Sequence, residues 1–173
     1  SAGSYEWISA SEVETGNYNV IHYDQDKKKF LAIKGGEVAV CNLGSINLSK
    51  YVTEEGKLDK RKLRKNVSVA VKYLDRVIDR NFYPVHEAKA SNNRWRPIGL
   101  GVMGYQDMLF KMKLPFESEE AIQLSKDIAE EIYYQALKTS VELAKELGPF
   151  DEWKNTHAAN SRLQFDLAGV EPK

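Results

Sequence analysis

Cys41 is the only cysteine in the chain. Its thiolate is the strongest nucleophile and electron donor the sequence offers, able to attack a disulfide sulfur or bind a soft metal. A lone cysteine at the end of an apolar run is by default a small buried apolar group. Gly99, Gly101 and Gly104 match the pattern G-x-G-x-x-G letter for letter. In a dinucleotide site those glycines lie between a strand and a helix, so that backbone N–H groups reach a pyrophosphate. Here Ser91-Asn92-Asn93-Arg94-Trp95-Arg96-Pro97 leaves almost no room for a preceding strand, and Glu117, Glu119 and Glu120 open a helix instead of ending a strand. The context therefore favours close strand-to-helix packing over a nicotinamide or flavin site, and no cofactor is assigned. His22, His86 and His157 match no metal-ligand spacing, so no metal is assigned either. Tyr133-Tyr134 looks like a redox pair, but helical neighbours point about 100° apart and core packing is the reading their positions favour. No Ser-His-Asp or Cys-His arrangement follows from spacing alone.

The elements that must carry these residues fall into two parts. Residues 5–36 hold short β-like runs, Tyr18-Asn19-Val20-Ile21 and Lys29-Phe30-Leu31-Ala32-Ile33, around a turn at Asp24-Gln25-Asp26-Lys27, which predicts a hairpin. Gly35-Gly36 closes this head. Glu37-Val38-Ala39-Val40-Cys41 reads as a buried strand, followed by a loop at Asn42-Leu43-Gly44-Ser45. Asp59 can cap a helix reaching about Asp79, with Leu63, Val67, Ala70, Val71, Leu74, Val77 and Ile78 on one stripe. Lys60, Arg61, Lys62, Arg64 and Lys65 crowd its first turns against the helix dipole and read as a solvated face, an anionic partner being the alternative. Ser118 can cap a helix of about 45 Å ending at Leu147 before Gly148-Pro149. Ala121, Leu124, Ile128, Ile132, Ala136, Leu143 and Leu147 mark its buried side. Its length suits the outer layer of a large α/β assembly.

The chain has 173 residues, 42% apolar and 29% charged, with 25 basic and 25 acidic side chains. That length fits one domain or part of a larger one, with roughly 70% of the unfolded surface available for burial. Zero formal net charge argues against a general nucleic-acid binder. There is no apolar run of about 18 residues and no signal-peptide pattern, so the expectation is no membrane span. A single thiol fits a reducing cytoplasm. Ser1-Ala2-Gly3-Ser4 reads as a fusion scar and is set aside.

From Glu37 the letters resemble a known family. Glu37-Val38-Ala39-Val40-Cys41-Asn42-Leu43-Gly44-Ser45-Ile46-Asn47-Leu48 is similar to a segment of the large, catalytic subunit of class I ribonucleotide reductase. Asn81-Phe82-Tyr83-Pro84-Val85 and Arg94-Trp95-Arg96-Pro97-Ile98-Gly99-Leu100-Gly101-Val102-Met103-Gly104 follow in the family's order, the latter as a strand and helix start. Pro115-Phe116-Glu117-Ser118, Glu142-Leu143-Ala144-Lys145-Glu146-Leu147-Gly148-Pro149 and Leu163-Gln164-Phe165-Asp166 continue it.

The resemblance implies an α/β fold: a mostly helical, partial segment (37–173) of a ten-stranded α/β barrel, carrying a β-rich head (1–36). In that family a radical cysteine removes a ribose hydrogen, and two further cysteines supply reducing electrons and end as a disulfide. The resemblance implies that Cys41 is one of those two and that Leu43 lies at the substrate. It places the radical cysteine's Asn-x-Cys-x-Glu loop just before Glu37, and the other reducing cysteine further upstream; neither is in the sequence. The nucleotide effector sites belong upstream, and the phosphate loop, radical-relaying tyrosines and C-terminal thiols belong after Lys173. The implied partners are the remaining catalytic-subunit polypeptide, a radical-generating small subunit and a thiol reductant of thioredoxin or glutaredoxin type, with no nucleic acid and no membrane. The chain alone is expected to be inactive. Open strand edges near Glu37–Cys41 and Ile98–Val102 predict association with itself or with the rest of the barrel. The alternative is a noncatalytic interaction domain derived from that subunit, and a third reading is a nucleotide-binding module using Gly99, Gly101 and Gly104. The head shows a weaker likeness to an intein β module of the form Trp-Ile-x-Ala-x-Glu-Val-x-x-Gly-Asp-x-Val, carried by Trp7, Ile8, Ala10, Glu12, Val13 and Gly16, with Asn17 in place of Asp. No His-Asn pair precedes Cys41, so self-splicing there is not expected.

Overall fold

The computed structural model describes residues 5–13, 18–34 and 38–169. In the head, β1 (Tyr5–Ile8), a helical turn α1 (Ala10–Val13), β2 (Tyr18–Asp24) and β3 (Lys29–Lys34) form an antiparallel sheet of order β1-β3-β2. The predicted hairpin is present, with Lys28 at φ 51° in its turn and a register shift between Val20 and His22.

The rest of the chain is mostly helical. It runs from β4 (Asn42–Asn47) through a 3₁₀ turn at Leu48–Tyr51 to α2 (Lys60–Arg80), α3 (His86–Trp95) and β5 (Ile98–Met103). It continues with α4 (Tyr105–Met112), α5 (Glu119–Leu147), two short 3₁₀ turns and α6 (Gln164–Ala168). β4 and β5 pair in parallel, Leu43 opposite Gly99 and Ser45 opposite Gly101, and α2 packs on one face of the pair and against α5.

Both long helices start where their caps predict. The Asp59 carboxylate accepts a hydrogen bond from the Lys62 N–H at 2.9 Å, and the Ser118 hydroxyl accepts one from the Ala121 N–H at 3.2 Å. Gly148, at φ 89°, ends α5. Leu63 and Val67 of α2, Met108 and Leu109 of α4, and Ala121 of α5 are completely buried. Each large aliphatic side chain removed from water in this way contributes about 1.5–3 kcal/mol. Two predicted stripe residues lie off the core, Val77 at 42% and Leu147 at 69% exposed, while Ile78 at the end of the α2 stripe is completely buried. Thr139 is wholly buried on the same helix, where its hydroxyl bonds Gln135 O at 2.8 Å and Ser68 Oγ at 3.1 Å.

The basic start of α2 is more than a solvated face. Glu131 of α5 takes Lys60 at 3.1 Å and Arg64 through two bonds of 2.5 and 2.9 Å, and Lys62 donates to Lys50 O at 2.9 Å. The bonds from Arg64 and Lys60 hold the Glu131 carboxyl below the usual carboxylate range, the Arg64 hydrogen bond contributing most. No acidic residue stands in the first turn of α2, so the Asp59 cap carries that end. Asp59→Ala is expected to lower stability by about 1–2 kcal/mol in urea unfolding. An unchanged midpoint would mean that Glu131 suffices to hold the helix start.

The strand assignment near Cys41 is corrected. Val38, Ala39 and Cys41 are exposed and lie outside any strand, Glu37 falls outside the described residues, and the expected loop Asn42–Ser45 belongs to β4. Pairing with β5 decides this against local propensity. Gly44 lets the Leu74 side chain approach to 3.5 Å from where a Cβ would stand, so α2 packs onto the strand backbone. The predicted edge at Glu37–Cys41 therefore shifts to β4.

Candidate functional site

Cys41 stands immediately before β4, and Asn42 is the first residue to pair, opposite Ile98. The thiol is exposed, not buried as a default cysteine would be, and among the described residues its one hydrogen bond is a long one donated to Asn42 O at 3.6 Å. With Ala39 and Val40 it forms one wall of an open depression whose other wall is Ser91, Trp95 and Pro97, from the end of α3 and the turn into β5.

Side chains alternate across a strand, so Leu43 and Ser45 share one face of β4 while Gly44 and Ile46 share the other. The second face is closed by α2, and Ile46 is buried. The first face is open: Leu43 is 79% exposed and Ser45 is exposed. Opposite them on β5 stand Gly99 and Gly101. A Cβ at Gly99 would lie 2.6 Å from Leu43 Cδ2 and 3.6 Å from Cys41 Sγ, and one at Gly101 would lie 3.8 Å from Ser45 Oγ. The predicted site residues Cys41 and Leu43 are thus brought together on one glycine-floored face.

The glycine motif separates into two roles. Gly99 and Gly101 are inside β5, so the strand is formed by the glycines themselves and not by the residues before them. Gly104, at φ 66°, caps α4, and a Cβ there would meet Asn47 Oδ1 at 2.5 Å. That oxygen already accepts from Ser49 N–H at 3.2 Å and Ser49 Oγ at 2.8 Å. Two glycines in an extended strand do not make the strand-to-helix turn in which backbone N–H groups converge on a pyrophosphate.

The depression is held by contacts that sequence reasoning missed. Arg96 ends α3 in the left-handed conformation at φ 46°. Its Nε donates to Asp75 Oδ1 at 2.8 Å, Nη1 to Asp79 Oδ1 at 2.8 Å, and Nη2 to Asp79 Oδ2 and Asp75 O, both at 2.9 Å. These bonds hold the Asp79 carboxyl below its ordinary range and raise the guanidinium further above its own. Tyr83 donates to Ile78 O at 2.7 Å and accepts from Asn92 Nδ2, which ties α3 to the end of α2. Arg94 pairs with Glu152 beyond α5. The detectable signal was Asp75 and Asp79, two acids one helical turn apart on α2.

The other candidates do not gather here. His86 and His157 are exposed, and the side chain of His22 lies outside what is described. Among the described residues no three of His, Cys, Asp and Glu could hold a metal ion. No described helix is long and apolar enough to cross a membrane. Tyr133 packs edge-on against Phe165 at 5.1 Å and accepts from Gln164 N–H at 3.0 Å, while Tyr134 is 58% exposed.

Comparison with known proteins gives a concordant result. A family model described as ribonucleotide reductase, barrel domain, matches residues 11–173, a match that includes most of the head. The ribonucleoside-diphosphate reductase large subunit of Caenorhabditis elegans is 49% identical over 136 residues, covering 79% of this chain and 17% of that protein. The large subunit of Variola virus is 42% identical, covering 95% of this chain and 24% of its own length. The large chain of Schizosaccharomyces pombe is 38% identical, covering 95% and 22%. The chain thus spans about a quarter or less of the length of these relatives.

Proposed function

This chain belongs to the ribonucleotide reductase barrel-domain family, and we propose from that premise that it is a section of the catalytic subunit of a ribonucleoside-diphosphate reductase in which Cys41 supplies one of the two reducing thiols. The observation that carries the reading is the exposed Cys41 sulfur beside the bare backbone of Gly99, on the sheet face where Leu43 is also exposed. The parallel β4–β5 pair, covered on one face only by α2, supports its reading as two neighbouring strands of the ten-stranded barrel. Among the described residues the head's strands pair with one another and not with β4 or β5, which supports treating residues 1–36 as a unit apart from 37–173.

Reduction replaces a ribose hydroxyl by hydrogen. The hydroxyl leaves as water, two thiols give up two protons and two electrons, and their sulfurs join as a disulfide. A disulfide-exchange reductant then restores the pair. Cys41 can serve because it is accessible and lies outside the closed, apolar face of the sheet. Leu43, mostly exposed beside it, would line the sugar's approach. The second thiol, the radical cysteine, the effector sites, the radical-generating subunit and the thiol reductant lie outside these 173 residues, so these residues alone should form no deoxynucleotide.

The direct test is a single turnover of the assembled reductase without external dithiol, followed by alkylation and mass spectrometry. Cys41 should become resistant to alkylation in step with product and recover it on reduction. A Cys41 that stays alkylatable after turnover would remove it from the reaction.

A further inference from the structure

Gly99 has a defined steric setting beside the Cys41 sulfur. The point where its Cβ would stand is 2.6 Å from Leu43 Cδ2, 3.6 Å from Cys41 Sγ and 3.8 Å from Asn42 O. The first distance is well inside van der Waals contact, so any side chain at 99 must displace Leu43. The second is a full contact on the flank of the sulfur. Gly99 does not stand at a positive φ, so its missing side chain is a matter of space and not of backbone conformation.

We propose that Gly99 and Leu43 form a steric pair that controls approach to the Cys41 thiol: Leu43 lies across the bare strand at Gly99 and leaves open the side of the sulfur from which a disulfide partner arrives. Gly99 is thus a positioning residue, acting through Leu43 and Cys41. The proposal rests on Cys41 being the reacting thiol, but its geometry is local to this chain. A disulfide requires the two Cβ atoms to come within about 3.5–4.5 Å, with S–S near 2.05 Å. A methyl group at 99 would stand 3.6 Å from Cys41 Sγ, on the flank from which that shell is reached, and would force Leu43 to a new position beside it. Leu43 is 79% exposed, so it can move without opening a core cavity.

The test is thiol–disulfide exchange on the full 173-residue chain, with an aromatic disulfide and with glutathione disulfide as probes. Cys41 thiolate attacks one sulfur of the probe, a mixed disulfide forms, and the other half leaves as a thiolate. In Gly99→Ala the plateau rate at high pH should fall by about fivefold or more, while the pH midpoint stays in place, since the change hinders approach and not ionisation. Leu43→Ala should raise the rate, and Gly99→Ala with Leu43→Ala should recover most of the loss. Far-ultraviolet circular dichroism and the urea midpoint separate these effects from unfolding. An unchanged plateau in Gly99→Ala, or a Gly99→Ala effect of the same size with Leu43→Ala as without it, would overturn the pairing. If Gly99→Ala fails to fold, Leu43→Ala decides alone: no change in its rate with either probe would refute the control. A reductase that turns over normally without Cys41 would refute the proposed role of the thiol while leaving these rates to stand or fall separately.

Discussion

Cys41→Ser in the assembled reductase is expected to reduce dithiol-dependent turnover by about three orders of magnitude or more, because a hydroxyl cannot accept a sulfur to form a disulfide and cannot deliver an electron pair in exchange. The fold should be almost indifferent. The thiol is exposed and, among the described residues, its one hydrogen bond is a 3.6 Å contact to Asn42 O. Replacing it with a group of similar size should move stability by less than about 0.5 kcal/mol. The effect would thus fall on chemistry and not on assembly. Nucleotide chromatography under multiple turnover, beside urea unfolding of both proteins, measures the two quantities separately. Wild-type turnover in the serine variant would make Cys41 a bystander and would favour the noncatalytic alternative for this segment. A large loss of stability with it would mean that the depression lined by Trp95 and Pro97 depends on the sulfur for packing.

How far this site was legible in the sequence depends on the range of the interactions that build it. α2 and α5 were readable because Asp59, Ser118 and Gly148 act within a few residues of the backbone groups they satisfy, and because the apolar stripes repeat locally. β4 was misread because its place is set by partners more than fifty residues away. Val38-Ala39-Val40 has the β-branched, apolar texture of a strand, whereas Asn42-Leu43-Gly44-Ser45 has the texture of a turn, yet only the latter reaches β5 and accepts α2 at Gly44. The glycine motif was read as close strand-to-helix packing, but the division between two strand glycines on the open face and one left-handed cap required the pairing register. Cys41 stood out by its chemistry, but its role and the choice of Leu43 came from family likeness alone. Their neighbourhood across Gly99 follows from alternation along two strands whose register the sequence does not state. Exposure of Cys41 ran against the usual burial of lone cysteines, because the strand it was expected to occupy begins one residue later.

The Arg96 junction should govern stability more than any other polar group described here, and the order of its variants makes the argument testable. Its side chain is 23% exposed and that of Asp75 18%, so both charges are largely withdrawn from water and each depends on the other. Arg96→Ala leaves Asp75 without its counter-charge and frees β5 from α2, at an expected cost of about 2–4 kcal/mol, below that of a fully buried pair because Asp79 is largely solvated. Arg96→Gly removes the same bonds but relieves the left-handed φ of 46°, worth about 1 kcal/mol. Stability should therefore decrease from wild type to the glycine variant to the alanine variant. The pH dependence has a defined sign. The Arg96 hydrogen bonds lower the folded-state pKa of Asp79, so that group contributes stability above the unfolded carboxylate value of about 3.9 and loses it as pH falls through the lowered folded value. Arg96 itself stays charged across this range, its guanidinium pushed still higher by Asp79 and Asp75. The gap between wild type and Arg96→Ala should accordingly be full near neutrality and narrow below about pH 4. Urea unfolding at pH 7, 5 and 3 measures it. A gap that stays constant with pH, or an alanine variant more stable than the glycine one, would mean that the guanidinium holds α3 and β5 through packing of its stem and not through the two aspartates.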